Sequence, residues 1–114
     1  MFNLFTAKKQ TGFIDAGNDE FRDMLNKPET ILLDTRTPEE FRSGHIPGAK
    51  LVDLFDRELQ NKLVQMDKNK TYLLYCRSGN RSAQLCKAMS KMGYSNLYNL
   101  KHGILKWDGD VTTN

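Results

Sequence analysis

Between Cys76 and Ser82 the chain reads Cys-Arg-Ser-Gly-Asn-Arg-Ser, placing a thiol, two guanidinium groups and a run of small polar residues in one short segment. The apolar run Thr71–Tyr75 leads straight into it, and a helical pattern follows from about Arg81 or Ser82. Cys76 is therefore expected at a strand's carboxyl end, facing a helix N-terminus. A compact loop rich in Ser, Gly and Asn can turn several backbone N–H groups inward as an anion-binding nest. Helix terminus, nest and the arginines Arg77 and Arg81 all favour thiolate over thiol. At the ordinary thiol pKa of about 8.5, only about 3% is ionised at pH 7. A downward shift of about two units would make the thiolate dominant and needs about 2.7 kcal/mol of differential stabilisation. An inert core thiol has no use for such neighbours, so Cys76 reads as a nucleophile.

The second cysteine reads differently. Cys86 falls in an apolar stripe with Leu85, Met89 and Met92, closed by Gly93, and is expected to pack in the core rather than act as a resolving thiol. It sits roughly 7 Å along the helix from its start, which argues against a bond to Cys76. With only His45 and His102 to join them, the cysteines do not make a metal set. A reducing compartment with free thiols is the expectation.

The elements that must position the loop follow from pattern. Strands are expected at 12–14, 30–33, 49–52, 71–75 and 96–98. The second and fourth are nearly continuous apolar runs, as in strands covered on both faces. Thr37-Pro-Glu-Glu40 combines a Thr cap, Pro at the first helical position and Glu at the third, a capping box. Gly44 is expected to end that helix in the left-handed conformation. Phe55, Leu59, Leu63 and Met66 repeat at helical spacing after Asp53, and Phe21, Met24 and Leu25 suggest a helix after Asn18. Strands alternating with helices predict an α/β fold: three layers, a mostly parallel five-stranded sheet with helices on both faces. Ligands gather at the carboxyl ends of such strands.

The chain's 114 residues suit one domain, and folding should bury roughly 65% of the unfolded surface. Residues 1–11 and 109–114 read as an N-terminal extension and a C-terminal tail around a domain over 12–108. Phe2, Leu4 and Phe5 could dock on the domain or a partner, but read as a loose end. Hydrophobic residues at 39% and charged residues at 27% exclude disorder, and no run reaches the ~18 apolar residues of a spanning helix. The opening Met1–Phe5 is too short for a secretory signal, so the cytoplasm is the expected compartment, with no membrane partner. A scattered net charge of +3 excludes a nucleic-acid partner.

Two separate motifs give the chain its resemblance to the rhodanese family of sulfurtransferases in its small single-domain form. The loop is similar to the family's Cys-Arg-x-Gly-x-Arg pattern, and Asp34–Ala49, with Arg36, Glu40, His45 and Pro47, is similar to its first signature. Asn99–Trp107 resembles the C-terminal Leu-x-Gly-Gly-x-x-x-Trp segment, with His102 where the first Gly is common and Gly103 at the second. If that Gly serves a special backbone angle, the turn should differ here. The resemblance implies a five-stranded parallel sheet and a double displacement: Cys76 takes the outer sulfur of a donor such as thiosulfate as a persulfide, then yields it to cyanide or a thiol. A sulfur-accepting protein is a further partner. The implied cradle comprises Arg77, Ser78, Gly79, Asn80, Arg81 and Ser82, with no metal and no cofactor.

Other signature residues have plainer expected roles. Arg36 and Glu40 should form an ion pair around a helix start. Asp34 could support the loop, orient an arginine or cap a turn. His45 should make a local hydrogen bond rather than act as a base, and Gly44, Pro47 and Gly48 read as turn residues. Trp107 and Tyr72, Tyr75, Tyr94 and Tyr98 read as core or pocket wall. Phosphatase and arsenate-reductase loops place five residues between Cys and Arg; here there are four, and the next position is Ser82. The rival from another class is a persulfide carrier or regulatory binding module with little thiosulfate:cyanide turnover, against which stands the presence of Cys76 with its whole loop.

Overall fold

The computed structural model describes residues 12–114; the proposed N-terminal extension lies outside them. Five short segments form strands β1 (Ile14–Ala16), β2 (Thr30–Asp34), β3 (Lys50–Leu51), β4 (Thr71–Tyr75) and β5 (Leu97–Leu100). They pair in parallel, in the order β1-β5-β4-β2-β3. Helices α1 (Asn18–Leu25), α2 (Pro38–Ser43), α3 (Leu59–Val64) and α4 (Asn80–Lys91) connect them.

The apolar runs of β2 and β4 explain why they lie inside the sheet. Leu33, Tyr72 and Leu74 enter one core layer with Leu63 of α3 and Leu85, Cys86 and Met89 of α4. Leu32, Leu73 and Tyr75 enter the other with Phe21 of α1, and Ile104 and Trp107 pack against it. β2 and β4 thus bury both faces, and the expected three-layer arrangement is observed. Among the described residues no helix is long and apolar enough to cross a membrane.

Local chemistry sets the helix ends. At α2 the capping box is complete: Glu40 N–H donates to Thr37 Oγ1 (3.2 Å), and Thr37 N–H donates to Glu40 Oε1 (3.0 Å). Gly44 ends it at φ +149°, ψ +133°, a glycine-favoured region but not the expected left-handed helical one. α4 ends as expected at Gly93, with φ +103°, and the Tyr94 N–H returning to the Met89 carbonyl.

Elsewhere the structure corrects the pattern. The helix expected to begin after Asp53 starts only at Leu59. Asp53 Oδ1 accepts the Phe55 N–H (3.0 Å) and Asp56 Oδ1 accepts the Glu58 N–H (2.8 Å). These two side-chain turns outcompete helix initiation and leave Phe55 79% exposed rather than in an apolar stripe. β1 lies two residues later than expected because Ile14–Ala16 pairs with Tyr98–Leu100, a tertiary register that local pattern does not encode. The C-terminal residues, expected as a loose tail, run back instead: His45 and Thr112 exchange two backbone hydrogen bonds of 2.8 Å.

Candidate active site

A parallel sheet brings the carboxyl ends of all its strands to one edge, where β2, β4 and β5 present Asp34, Cys76 and the 101–106 turn. Cys76 follows the last residue of β4, and three residues later Gly79 caps α4 at φ +101°, ψ −11°. No side chain caps this helix, so its first N–H groups are free to face the sulfur. Gly79 N–H donates to Cys76 Sγ at 3.1 Å, and Ser82 Oγ lies 3.4 Å from it. Cys76 is fully buried. Burial opposes charge on its sulfur, but the Ser82 hydroxyl and the N–H groups of Ser82, Gly79 and Ser78 outweigh it and hold the thiol below its ordinary pKa. The helix terminus faces the sulfur, as the sequence suggests.

The loop's carbonyls are tied down from outside. Ile104 N–H donates to the Cys76 carbonyl (2.9 Å) and Leu105 N–H to the Arg77 carbonyl (3.0 Å). With these carbonyls bound outward, the Ser78, Gly79 and Ser82 N–H groups face the sulfur. The approach is close: a Cβ at Gly79 would lie 2.2 Å from the Lys101 carbonyl oxygen, and one at Gly103 would lie 2.1 Å from the Arg77 carbonyl oxygen. Gly103 also has φ +68°, whereas Glu29 is the one non-glycine residue with positive φ among the described residues. The second glycine of the C-terminal segment thus carries the special geometry, and His102 occupies the first position with ordinary backbone. The turn differs less than the His102 substitution suggested.

The two arginines have different surroundings. Arg81 makes a two-pronged ion pair with Glu40, at 2.9 and 3.0 Å, and its pKa is raised first by that partner and to a lesser extent by the Cys76 sulfur. The Arg81 hydrogen bonds hold the Glu40 carboxyl at a pKa of about 2 against the cost of its partial burial. The expected Arg36–Glu40 pair does not form, because Arg36 binds Asp34 instead: Nη2–Oδ2 is 2.7 Å, inside the protein. Arg36 Nη2 also donates to the Gly44 carbonyl (2.7 Å). Asp34 therefore orients an arginine, one of the roles anticipated, and that arginine braces the 44–46 segment under Tyr75. Arg77 is exposed and has no ion pair among the described residues. Asn80 is exposed at the first position of α4, and the Ser78 side chain is exposed in the loop.

His45 makes structural hydrogen bonds, Nδ1 with the Phe41 carbonyl and Nε2 with the Asn114 carbonyl, both 2.9 Å. Cys86 is a buried free thiol whose pKa burial pushes up, consistent with a core role. Tyr72, Tyr75 and Tyr94 are buried, while Trp107 lines an open groove of about 760 Å³ with Arg22 and Ile46, away from the loop. Among the described residues no cluster of His, Cys, Asp or Glu could hold a metal. Sequence reasoning assigned no role to Asn99. Its signal is a polar residue in an apolar strand, and the structure buries it against Ser82.

A parallel sheet covered on both faces, with a cysteine delivered from a central strand into helix-terminal amides, defines an α/β protein whose thiol is seated among hydrogen-bond donors. The chain belongs to the rhodanese-like domain family, which it matches over residues 17–110. It is 35% identical over 83 residues to the putative sulfurtransferase YtwF of Bacillus subtilis, covering 73% of this chain and 78% of that one. A sulfurtransferase of Allochromatium vinosum is 34% identical over 84 residues, 74% and 77% of the two chains. The fold matches the crystal structure of a rhodanese-related protein from Thermoplasma volcanium with a TM-score of 0.76 at 23% identity, covering 89% of this chain and 99% of that one.

Proposed function

We propose that the protein is a thiosulfate sulfurtransferase working through a Cys76 persulfide. The observation that carries this reading is the sulfur's seat against Gly79 N–H and the α4 terminus, with donors that favour its charged form. The Cys76 thiolate attacks the outer sulfur of thiosulfate. The Sγ–S bond forms, the S–S bond of the donor breaks, and sulfite leaves with that bond's electron pair. The persulfide anion rests against the same N–H groups, as an oxyanion rests in its hole. Cyanide, or a cellular thiolate, then attacks the outer sulfur and leaves as thiocyanate or a persulfide, restoring the Cys76 thiolate. No net redox partner, metal or organic cofactor enters this balance.

Arg81 is largely neutralised by Glu40, so exposed Arg77 supplies the free positive charge that draws in an anionic donor. Arg77 to Ser82 form the cradle, while Asp34 and Arg36 brace the neighbouring strand end. A free thiol as nucleophile suits a reducing compartment, and we place the protein in the cytoplasm. The test is steady-state thiocyanate formation from thiosulfate and cyanide. Turnover should vanish in Cys76→Ser and persist in Cys86→Ser; turnover surviving in Cys76→Ser contradicts the reading.

A further inference from the structure

Behind the sulfur runs a chain of hydrogen bonds that reaches the sheet edge. Ser82 Oγ donates to Asn99 Oδ1 at 2.5 Å. Asn99 Nδ2 donates to Asp15 Oδ1 on β1 (2.9 Å) and to the Gly79 carbonyl (3.1 Å). Asn99 is 1% exposed, so its carboxamide is fully used by protein. Its orientation is forced, because turning it over would set its oxygen against two acceptors and its N–H groups against the Ser82 hydroxyl. Asp15 and the Gly79 carbonyl therefore fix an acceptor opposite Ser82.

A serine hydroxyl has one proton, and three acceptors surround this one. Asn99 Oδ1 lies at 2.5 Å, while Cys76 Sγ and the Gly79 carbonyl both lie at 3.4 Å. With Cys76 as a neutral thiol, the shortest contact takes the proton and Ser82 offers a lone pair to the S–H. With a charged sulfur the balance changes, since hydrogen bonds to an ionised partner are roughly twice as strong as neutral ones. The hydroxyl then turns about its Cβ–Oγ bond to face the sulfur, without any bond to hydrogen breaking.

We propose that Asn99 is a positioning residue of the transfer reaction: its carboxamide, held one way round by Asp15 and the Gly79 carbonyl, holds the Ser82 hydroxyl proton while Cys76 is neutral and releases it to the sulfur when the sulfur is charged. Asn99 thereby competes with the sulfur for one proton and acts on Cys76 only through Ser82. The other charged and titratable groups near the sulfur are Arg81 of α4 with Glu40 of α2 behind it, Cys86 of α4, and exposed Arg77 next in the chain, with Asp15 of β1 one step back behind Asn99. Ser82→Ala leaves all of these in place; Asn99→Ala also frees Asp15, a charge effect that would persist without Ser82 and is separated by the double variant. The inference rests on Cys76 as the nucleophile, yet it can be read from the thiolate itself, independently of any sulfur donor.

The experiment is the pH dependence of Cys76 alkylation by iodoacetamide, followed by peptide mass in wild type, Ser82→Ala, Asn99→Ala and the double variant. Ser82→Ala should raise the midpoint by about one pH unit, through loss of a charge-assisted bond. Asn99→Ala should lower it by about half a unit, because the sulfur no longer shares the proton. In the Ser82→Ala background Asn99→Ala should do nothing. An Asn99→Ala midpoint that stays or rises, or a shift that persists without Ser82, overturns the proposal. Should Asn99→Ala fail to fold, Asp15→Ala at the exposed strand edge serves instead. Its lowering of the midpoint must be larger with Ser82 than without it, since a through-space charge effect alone would be equal in both backgrounds. Loss of thiocyanate formation with these shifts intact would count against the sulfurtransferase reading alone.

Discussion

Cys76 and Cys86 are both buried, and their neighbours separate them. Burial acts against charge on both, but only Cys76 has amide N–H groups and a hydroxyl aimed at it. Alkylation of the native protein should therefore fall on Cys76 and leave Cys86 unmodified. Its pH midpoint should lie below that of an ordinary thiol; peptide mass spectrometry over pH 5–10 checks both. The two arginines should separate too. Arg77→Ala removes an exposed charge with no ion pair among the described residues and should raise KM for thiosulfate severalfold in a salt-dependent way, with kcat nearly kept. Arg81→Ala also strands Glu40 and should lower kcat. Cys76 and its loop were legible because their residue types make little sense in an inert core. The Arg81–Glu40 pair was not, because Glu40 was already accounted for by the Thr37 capping box and lies far from Arg81 in sequence. One carboxylate serves both.

The cradle depends on an element outside the loop, the turn after β5, whose N–H groups tie the loop's carbonyls outward. Gly79 and Gly103 allow that contact, and a methyl group at either would strike backbone within 2.2 Å. Gly79→Ala and Gly103→Ala should each cost about 1–3 kcal/mol in stability and slow alkylation of Cys76 more than that loss explains. Denaturant titration beside alkylation rate measures both. His102→Gly, at ordinary backbone angles, should change neither. The α2–α4 link has its own acid dependence. Glu40's folded pKa lies below its ordinary 4.5, at about 2, so its contribution is complete above about pH 4.5 and is lost as pH falls toward 2. Glu40→Gln should flatten that part of the acid stability curve. At this scale the sequence showed the capping box, the closing Gly93 and the central strands, because each has a local cause. It misplaced the entry to α3, where Asp53 and Asp56 make turns that helical spacing does not register.

Across the whole molecule, the order β1-β5-β4-β2-β3 sets the cysteine strand in the middle of a sheet covered on both faces. The alternation of strands and helices and the apolar runs of β2 and β4 made this legible. The pairing of β1 and the return of Thr112 to His45 are long-range and left no local signal, and the sequence offered Asp34 an arginine partner without selecting Arg36 for the buried pair they form. That pair sits beside the Tyr75 ring at the carboxyl ends of the inner strands. Asp34→Ala would leave the Arg36 guanidinium buried without its partner and should destabilise the fold by about 3–5 kcal/mol, read from the denaturant midpoint. The central claim concerns what the intact chain carries on one atom, so the intact mass of the reduced protein after exposure to thiosulfate tests it most directly. Wild type should gain the mass of one sulfur atom and lose it on adding cyanide, while Cys76→Ser gains nothing. Equal gain by Cys76→Ser, or no gain by wild type from thiosulfate, would contradict the account.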